Sequence, residues 1–157
     1  MKGRALFLYN DRAGRGRIAH KADAIAGILR EGGYDVLPHI IEFGRNPFEG
    51  HEDVDVVVAA GGDGTMNYVI NSMKSKGMDI PIAVIPAGTA NDFARALGMR
   101  RGALDAAWQI ADGEIRRVDC GRVNGLYYIN VFSFGLFTTT SQHTPDGIKH
   151  RMNVSQY

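Results

Sequence analysis

Stretches of continuous apolar residues alternate along this chain with stretches in which apolar residues recur every three or four positions. Runs without polar interruption are typical of strands that are buried on both faces of a sheet. Two such runs are present, at Ala5–Tyr9 and Pro81–Ile85, and a third run, Val54–Ala60, is interrupted only by Asp55. The pattern of i, i+3 and i+4 predicts helices. Their expected apolar faces are Ile18, Ala22, Ile25, Ile28 and Leu29; Met66, Val69, Ile70 and Met73; and Leu104, Ala107, Trp108 and Ala111.

This alternation predicts an α/β domain with three layers around a parallel sheet, because parallel neighbours need crossover connections. A fourth strand, Val36–Ile41, contains Pro38 and is therefore expected near an edge of the sheet. The pattern changes toward the end of the chain. Two β-prone segments, Arg117–Val123 and Leu126–Phe132, flank Asn124-Gly125, which is typical of an antiparallel hairpin with a type I′ turn.

A glycine-rich turn, Gly61-Gly62-Asp63-Gly64-Thr65, directly follows the run Val54–Ala60 and precedes a predicted helix. Backbone N–H groups at such a turn can surround a phosphate, and glycine lets the ligand approach closely. Asp63 places a carboxylate beside this anion site, which suits a Mg²⁺ ion between the two. Thr65 can cap the helix or bond a phosphate oxygen. The alternative is a structural turn in which Asp63 serves only as a helix cap.

Two further loops follow apolar strands. In the loop after Pro81–Ile85, Gly88 allows a tight turn, Thr89 offers a hydroxyl, and Asn91 or Asp92 can cap the next helix. The loop after the first strand, residues 10–17, contains three arginines and two glycines that could bind phosphates. Ordinary capping and a basic surface loop are the respective alternatives. Loops that follow parallel strands share the carboxyl edge of the sheet, where ligands bind.

These three loops together carry a resemblance to a known family. The element Gly61–Thr65 followed by Met66-Asn67, together with Pro86–Arg95, resembles the diacylglycerol kinase catalytic domain family, and its bacterial lipid kinases most of all. The similarity runs from about Ala5 to about Phe137. NAD kinases and phosphofructokinases share an element like the first of these segments. The second segment is what indicates a lipid kinase.

The resemblance implies a nucleotide-binding fold like that of NAD kinase and phosphofructokinase, with transfer of a phosphoryl group from ATP to a lipid hydroxyl such as that of diacylglycerol. ATP and Mg²⁺ are the implied cofactors, and Asp63 would act on the metal directly or through a water. The residues expected at the nucleotide are Asn10, Gly14, Gly61, Gly62, Asp63, Gly64, Thr65, Asn67, Gly88 and Thr89. The catalytic base is not identified, because helix capping is the better interpretation of Asp92.

The chain departs from the family pattern in three places. Asp11 stands where the first loop usually has Pro, and Tyr68 stands where a Glu usually follows the glycine loop. With Tyr in place of that Glu, the polar contact that the Glu would make to the nucleotide or its metal is not expected. A Thr that the family tends to place after the second strand is not evident around Ile40–Phe43. Two other functions stay open: a kinase of a soluble substrate similar to NAD kinase, and a nucleotide-binding module without catalysis.

Full-length members of this family continue into a β-rich second domain that supplies the proposed base, further metal-binding acids and much of the lipid site. We therefore divide the chain into an α/β nucleotide-binding domain, residues 1–125, and the start of a truncated β-rich domain with a polar tail, residues 126–157. This chain is expected to be inactive alone. It is also expected to form a homo-oligomer, because the edge and the apolar face of its hairpin would lack a cover.

Composition agrees with one soluble domain. The chain has 157 residues, 45% of them apolar, and a formal net charge of +1, so no general attraction to nucleic acid is expected. No apolar run reaches the ~20 residues that span a bilayer. The single cysteine, Cys120, excludes a disulfide framework. These features predict a cytoplasmic protein that would reach its lipid at the inner face of the membrane.

Overall fold

Four parallel strands form a sheet at the centre of the computed structural model, which describes residues 2–11 and 16–129. The sheet order is β2-β1-β3-β4, and the strands are β1 Gly3–Tyr9, β2 Tyr34–Ile40, β3 Val56–Gly61 and β4 Ile82–Pro86. The helices are α1 Ala22–Glu31, preceded by a 3₁₀ turn at Ala19–Lys21, α2 Asp63–Ser75, α3 Asp92–Ala96 and α4 Ala103–Ala111. The predicted α/β class is confirmed.

Helices cover both faces of this sheet. Alternate residues of a strand point to opposite faces: Ala5 and Phe7 of β1 pack on the side of α1 and α4, whereas Leu6 and Leu8 pack on the side of α2. All four side chains are fully buried, which explains the continuous apolar runs. Because α1 follows β1 on one face and α2 follows β3 on the other, the direction of the crossovers reverses between β1 and β3.

Strand β2 lies at the edge of the sheet, as Pro38 predicted, and its connection to β3 contains no helix. Residues 41–55 form this connection instead through turns. Phe48 is fully buried on the α2 side of the core. Asn46 Nδ2 donates to the carbonyl of Ser72 at 3.0 Å, and the Tyr68 hydroxyl donates to the carbonyl of Arg45 at 2.6 Å. These contacts attach the β2–β3 crossover to α2. A crossover between parallel strands usually contains a helix, and this one does not.

The predicted inward face of α4 is confirmed at Ala107 and Ala111 and is wrong at Leu104 and Trp108. The sequence pattern places Leu104 and Trp108 inward, but these side chains are 36% and 45% exposed. A close approach to α1 explains the difference, because a Cβ added at Gly32 would lie 2.6 Å from the Cβ of Ala111. At this point of contact between the two helices, only small side chains fit. The buried face consists of Ala103, Ala106, Ala107, Ile110 and Ala111.

A separate antiparallel hairpin follows α4. Its strands are β5, Gly121–Val123, and β6, Leu126–Tyr128. Asn124 and Gly125 between them have φ angles of 49° and 83°, which is the pair of positive values that a type I′ turn requires. The hairpin is confirmed, although β5 starts four residues later than the predicted segment at 117–123. The end of the second predicted segment, residues 130–132, lies outside the described residues, and the proposed domain boundary stays a prediction.

Candidate functional site

The ends of β1, β3 and β4 bring the predicted loops to one edge of the sheet. The backbone N–H of Asn10 donates to the carbonyl of Ala60 at 3.4 Å, and that of Ala87 donates to the carbonyl of Gly61 at 2.9 Å. The loop after β1 therefore starts beside the loop after β3, and the loop after β3 lies beside the loop after β4. Between β1 and β3 the crossover direction reverses, and open α/β sheets bind their ligands at such a point.

The first glycine loop, Gly61–Thr65 after β3, and the second glycine loop, which contains Gly88 after β4, touch each other through their backbones. A Cβ added at Gly88 would lie 2.5 Å from the Cα of Gly62, and a Cβ added at Gly62 would lie 3.1 Å from the Cα of Gly88. Real side chains do not accept the shorter of these distances without a shift of the backbone. Both glycines are therefore explained by the packing of loop on loop.

Helix α2 begins at the first glycine loop, and no side chain caps its N-terminus. The first backbone N–H of α2 that donates to the carbonyl four residues earlier is that of Met66, which donates to Gly62 at 3.1 Å. The N–H groups of Asp63, Gly64 and Thr65 precede it and have no such acceptor in the helix. Free N–H groups and the helix dipole together favour an anion at this end.

Gly64 differs from the other glycines of this loop. It is exposed, and a Cβ added there would meet no atom within 4 Å. The packing of the fold therefore does not require glycine at this position. An open backbone directly beside an uncapped helix N-terminus leaves space that a ligand can occupy.

Asp63 joins the two glycine loops. Its Oδ2 accepts the N–H of Asp92 at 3.1 Å, and its Oδ1 accepts the N–H of Phe93 at 3.0 Å. These donors belong to the first turn of α3, so Asp63 caps α3 rather than its own helix. This corrects the prediction that Asn91 or Asp92 would cap α3. The side chain of Asp92 forms an ion pair with Arg95 instead.

Asn91 closes the second glycine loop. Its backbone is in the left-handed region, with φ at 51°. Its side-chain Oδ1 accepts the N–H of Gly88 at 2.7 Å, and its Nδ2 donates to the carbonyl of the same residue at 2.8 Å. Asparagine tolerates this conformation better than most residues. The turn that carries Gly88 and Thr89 is therefore held in one shape.

The acids of the described residues do not form a metal cage. No group of three or more His, Cys, Asp and Glu within 2–11 and 16–129 has the spacing to hold a metal ion. Mg²⁺ that binds together with phosphates needs only one or two carboxylates from the protein. Asp63 fits that role, since each of its oxygens accepts one backbone N–H and retains a second lone pair.

The structure places Asn67 in a contact that the sequence did not reveal. Its Oδ1 accepts the N–H of Ile129 at 3.2 Å, and Asn71, one helical turn later, bonds the backbone of Tyr127. The expectation of an uncovered hairpin edge is therefore wrong at Tyr127 and Ile129. Two asparagines at i and i+4 outside the apolar face of α2 were the available signal.

The other predicted site residues lie at the same edge where they are described. Asn10 follows β1, and Thr89 is exposed beside Gly88. Thr65 is 7% exposed and packs against Gly61, where a Cβ would overlap its side chain. Gly14 lies outside the described residues. Contacts of all these residues with a nucleotide stay predictions.

Tyr68, at the position where the family usually has Glu, is used for structure. Its hydroxyl donates to the carbonyl of Arg45 at 2.6 Å and accepts the N–H of Gly44 at 3.1 Å. Its ring packs on Phe43 with centroids 4.9 Å apart. These contacts place the side chain against the β2–β3 connection.

A surface cavity lies in the β2–β3 connection. Burial lowers the pKa of His39 below its ordinary value, and the charge of the nearby His51 lowers it further. The rings of the two histidines are 5.1 Å apart. The cavity has a volume of about 230 Å³ and is lined by His39, Glu42, Arg45, Asn46, Pro47 and Glu49.

Comparisons with known proteins found similar sequences and structures. The model of the diacylglycerol kinase catalytic domain matches residues 4–123. Diacylglycerol kinases of Staphylococcus aureus strains bovine RF122 / ET3-1 and MRSA252 are each 35% identical over 154 residues, which is 95% of this chain and 49% of theirs. The chain thus spans about half the length of these curated relatives. The crystal structure of a diacylglycerol kinase from Bacillus anthracis str. Sterne superposes with a TM-score of 0.71 at 27% identity, over 83% of this chain and 47% of that one.

Proposed function

This chain belongs to the diacylglycerol kinase catalytic domain family, and from that premise we propose that it binds ATP for phosphoryl transfer to a lipid hydroxyl of the diacylglycerol kind. The observation that carries the proposal is the open backbone at Gly64, beside the uncapped start of α2. Its place at the crossover reversal between β1 and β3 is where an α/β sheet binds nucleotides.

We propose that the backbone N–H groups of Gly62–Thr65 bind the phosphates, with Asn10 and the Gly88–Thr89 turn fixing the rest of the nucleotide. Phosphoryl transfer depends on positioning and on neutralising the phosphate charge rather than on covalent chemistry from the protein. Mg²⁺ supplies that neutralisation when it is bound. Asp63 would hold it, directly or through a water, while it keeps α3 in place.

The catalytic base stays unassigned. Asp92 is the candidate that the sequence suggests, but it begins α3 and is paired with Arg95. A carboxylate held in this way is poorly placed to take a proton from an incoming hydroxyl. We therefore propose nucleotide binding for this chain as it stands, with efficient lipid phosphorylation dependent on groups outside the described residues.

The lipid acceptor implies work at a membrane surface. Among the described residues, no helix has the length and apolar character to cross a membrane. We propose that the protein approaches its lipid peripherally, at the cytoplasmic face. A homo-oligomer also stays proposed, and it would use a surface other than the hairpin edge at Tyr127–Ile129, which α2 already covers. Light scattering at micromolar protein tests it.

Replacement of Gly64 by Ala tests the nucleotide site. A Cβ at this position fits the fold but occupies the space above the loop, so we expect a folded protein that no longer binds MgATP. Nucleotide at about a hundred times its dissociation constant should stabilise the wild type by roughly 2.7 kcal/mol. That corresponds to a rise of several degrees in melting temperature, which thermal denaturation measures.

Gly27→Ala is the matched control. Gly27 also lies inside a helix, in α1, and a Cβ there likewise meets no atom within 4 Å. Each change replaces a helical glycine and should favour the helix by up to about 1 kcal/mol. Only Gly64→Ala should lose the response to MgATP. An equal response in both variants would show that phosphates do not bind over this loop.

A further inference from the structure

In the described part of the chain, no strand pairs with β6 on the side away from β5. In the antiparallel pair, Gly121 faces Tyr128 and Val123 faces Leu126. Successive residues of a strand direct their backbone N–H and C=O groups to alternate sides. The polar backbone groups of Tyr127 and Ile129 therefore point away from β5, and an edge of this kind needs a partner.

Helix α2 supplies that partner with two side-chain amides. Asn71 Oδ1 accepts the N–H of Tyr127 at 2.9 Å, and its Nδ2 donates to the carbonyl of Tyr127 at 2.8 Å. Asn67 Oδ1 accepts the N–H of Ile129 at 3.2 Å. An asparagine amide offers the same donor and acceptor as a peptide group. Two asparagines one turn apart therefore bind β6 in place of a neighbouring strand.

Apolar side chains also pack between β6 and α2. Ile129 is 4% exposed and belongs to the core cluster that contains Met66, Val69 and Ile70 of α2. Tyr127 is partly buried against that cluster. The hairpin is thus attached to α2 by its backbone and by its side chains, and the two elements can be expected to move together.

We propose that Asn67 and Asn71 are positioning residues that couple the hairpin to the nucleotide loop. Asn67 lies two residues after Thr65 on the helix that starts at the glycine loop. A shift of α2 on phosphate binding would carry both amides and the strand they hold. Coupling between two sites is reciprocal, so docking of β6 also fixes the start of α2. This inference rests on the proposed binding of MgATP.

Amide hydrogen exchange and MgATP titration together test the coupling. Saturating MgATP should slow exchange at Tyr127 and Ile129 of the wild type by about fivefold or more, the lower end of typical coupling factors. Asn71→Ala should remove that response and weaken MgATP binding by a similar factor. It should also speed exchange at both amides without nucleotide.

Asn46→Ala is the matched control on the opposite flank of α2. Asn46 makes three hydrogen bonds, to Ser72, Ser75 and Phe48, and Asn71 also makes three. If a general loss of stability weakens MgATP binding, both variants should bind it equally poorly. That result would overturn the coupling. So would MgATP binding that leaves exchange at Tyr127 and Ile129 unchanged, and in that case the proposed function stands. A folded wild type that does not bind MgATP overturns both.

Discussion

At the scale of single residues, Asp63 has two tasks that one substitution can separate. Its carboxylate caps α3 through the N–H groups of Asp92 and Phe93, and it is the proposed partner of Mg²⁺. Asparagine has one acceptor oxygen, so its NH₂ group would face one of these donors.

We expect Asp63→Asn to lower the free energy of unfolding by about 1–2 kcal/mol, because a hydrogen bond to a charged group is lost. We also expect nucleotide binding to lose its dependence on Mg²⁺. Urea denaturation measures the first effect, and calorimetric titration of ATP with and without Mg²⁺ measures the second. Asp23→Asn, at an exposed position in the first turn of α1, should change neither. A destabilised variant with an intact Mg²⁺ response would leave Asp63 only its capping task.

His39 gives the protein a specific dependence on pH. Its pKa is lowered in the folded state, first by burial and then by His51, while Glu42 acts in the opposite direction. Well above the ordinary histidine pKa of about 6.5 the imidazole is neutral in both states, so it contributes nothing to the pH dependence. As the pH falls further, the unfolded chain binds the proton more readily, and stability is lost.

We therefore expect His39→Gln to reduce the fall in unfolding free energy between about pH 7.5 and pH 5.5. Urea denaturation at several pH values measures it. His20→Gln, at an exposed position next to α1, should keep the wild-type slope. A steeper slope in His39→Gln would contradict the lowered pKa.

A close approach at the loop glycines could be predicted from sequence, whereas the hydrogen-bond partners of the polar residues could not. Glycine at 61, 64 and 88 has few explanations other than a close approach of backbone or ligand. The bonds of Asp63 join residues 29 and 30 positions apart, and those of Asn67 and Asn71 span 62 and 56 positions. Contacts at such separations depend on the tertiary fold, which local patterns do not specify.

At the scale of elements, α2 connects three parts of the molecule. Its underside packs into the core through Met66 and neighbouring apolar residues. One flank binds β6 through Asn67 and Asn71. The other flank holds the β2–β3 connection, through the hydroxyl of Tyr68 and through Ser72. Helix α2 is therefore in contact with the core, with β6 and with the β2–β3 connection.

Tyr68→Phe tests the second flank. The ring keeps its packing on Phe43, but the hydroxyl bonds to Gly44 and Arg45 are lost. We expect a loss of about 1 kcal/mol in stability, faster amide exchange at Gly44, and unchanged MgATP affinity. Tyr34→Phe, which alters a tyrosine on β2, is the control for the loss of a hydroxyl. Weaker MgATP binding in Tyr68→Phe alone would return this position to the nucleotide site.

Element type followed from periodicity, whereas the facing of α4 did not. The apolar run on that helix contains Leu104 and Trp108, and larger residues normally define the buried face. The closeness of α1 selected alanines instead, and this closeness depends on Gly32, more than seventy positions earlier in the chain. The sequence pattern thus predicts that a helix is amphipathic, but the neighbouring element decides how it is rotated.

At the scale of the whole molecule, each edge strand of the described four-stranded sheet contains a proline that disfavours pairing with another chain. Pro38 interrupts the outer strand β2, and Pro86 ends the opposite edge strand β4. Proline at an edge removes a donor that a further strand would need. The hairpin edge at β6 is occupied by α2. For the residues that the structure describes, we therefore expect self-association to use exposed side chains, such as Leu126 at 66% exposure, more readily than strand addition.

The last prediction concerns activity. We expect this chain to bind MgATP without phosphorylating diacylglycerol efficiently, because Asp92 is held by Arg95 and a positioned base within reach of the acceptor is what the transfer requires. Radiolabelled ATP with diacylglycerol, with NAD and with no acceptor measures this, and a Staphylococcus aureus relative serves as the positive control. Transfer to NAD would favour a soluble-substrate kinase. Efficient lipid phosphorylation by this chain would instead contradict the prediction, and loss of that activity in Asp92→Asn would identify Asp92 as the base.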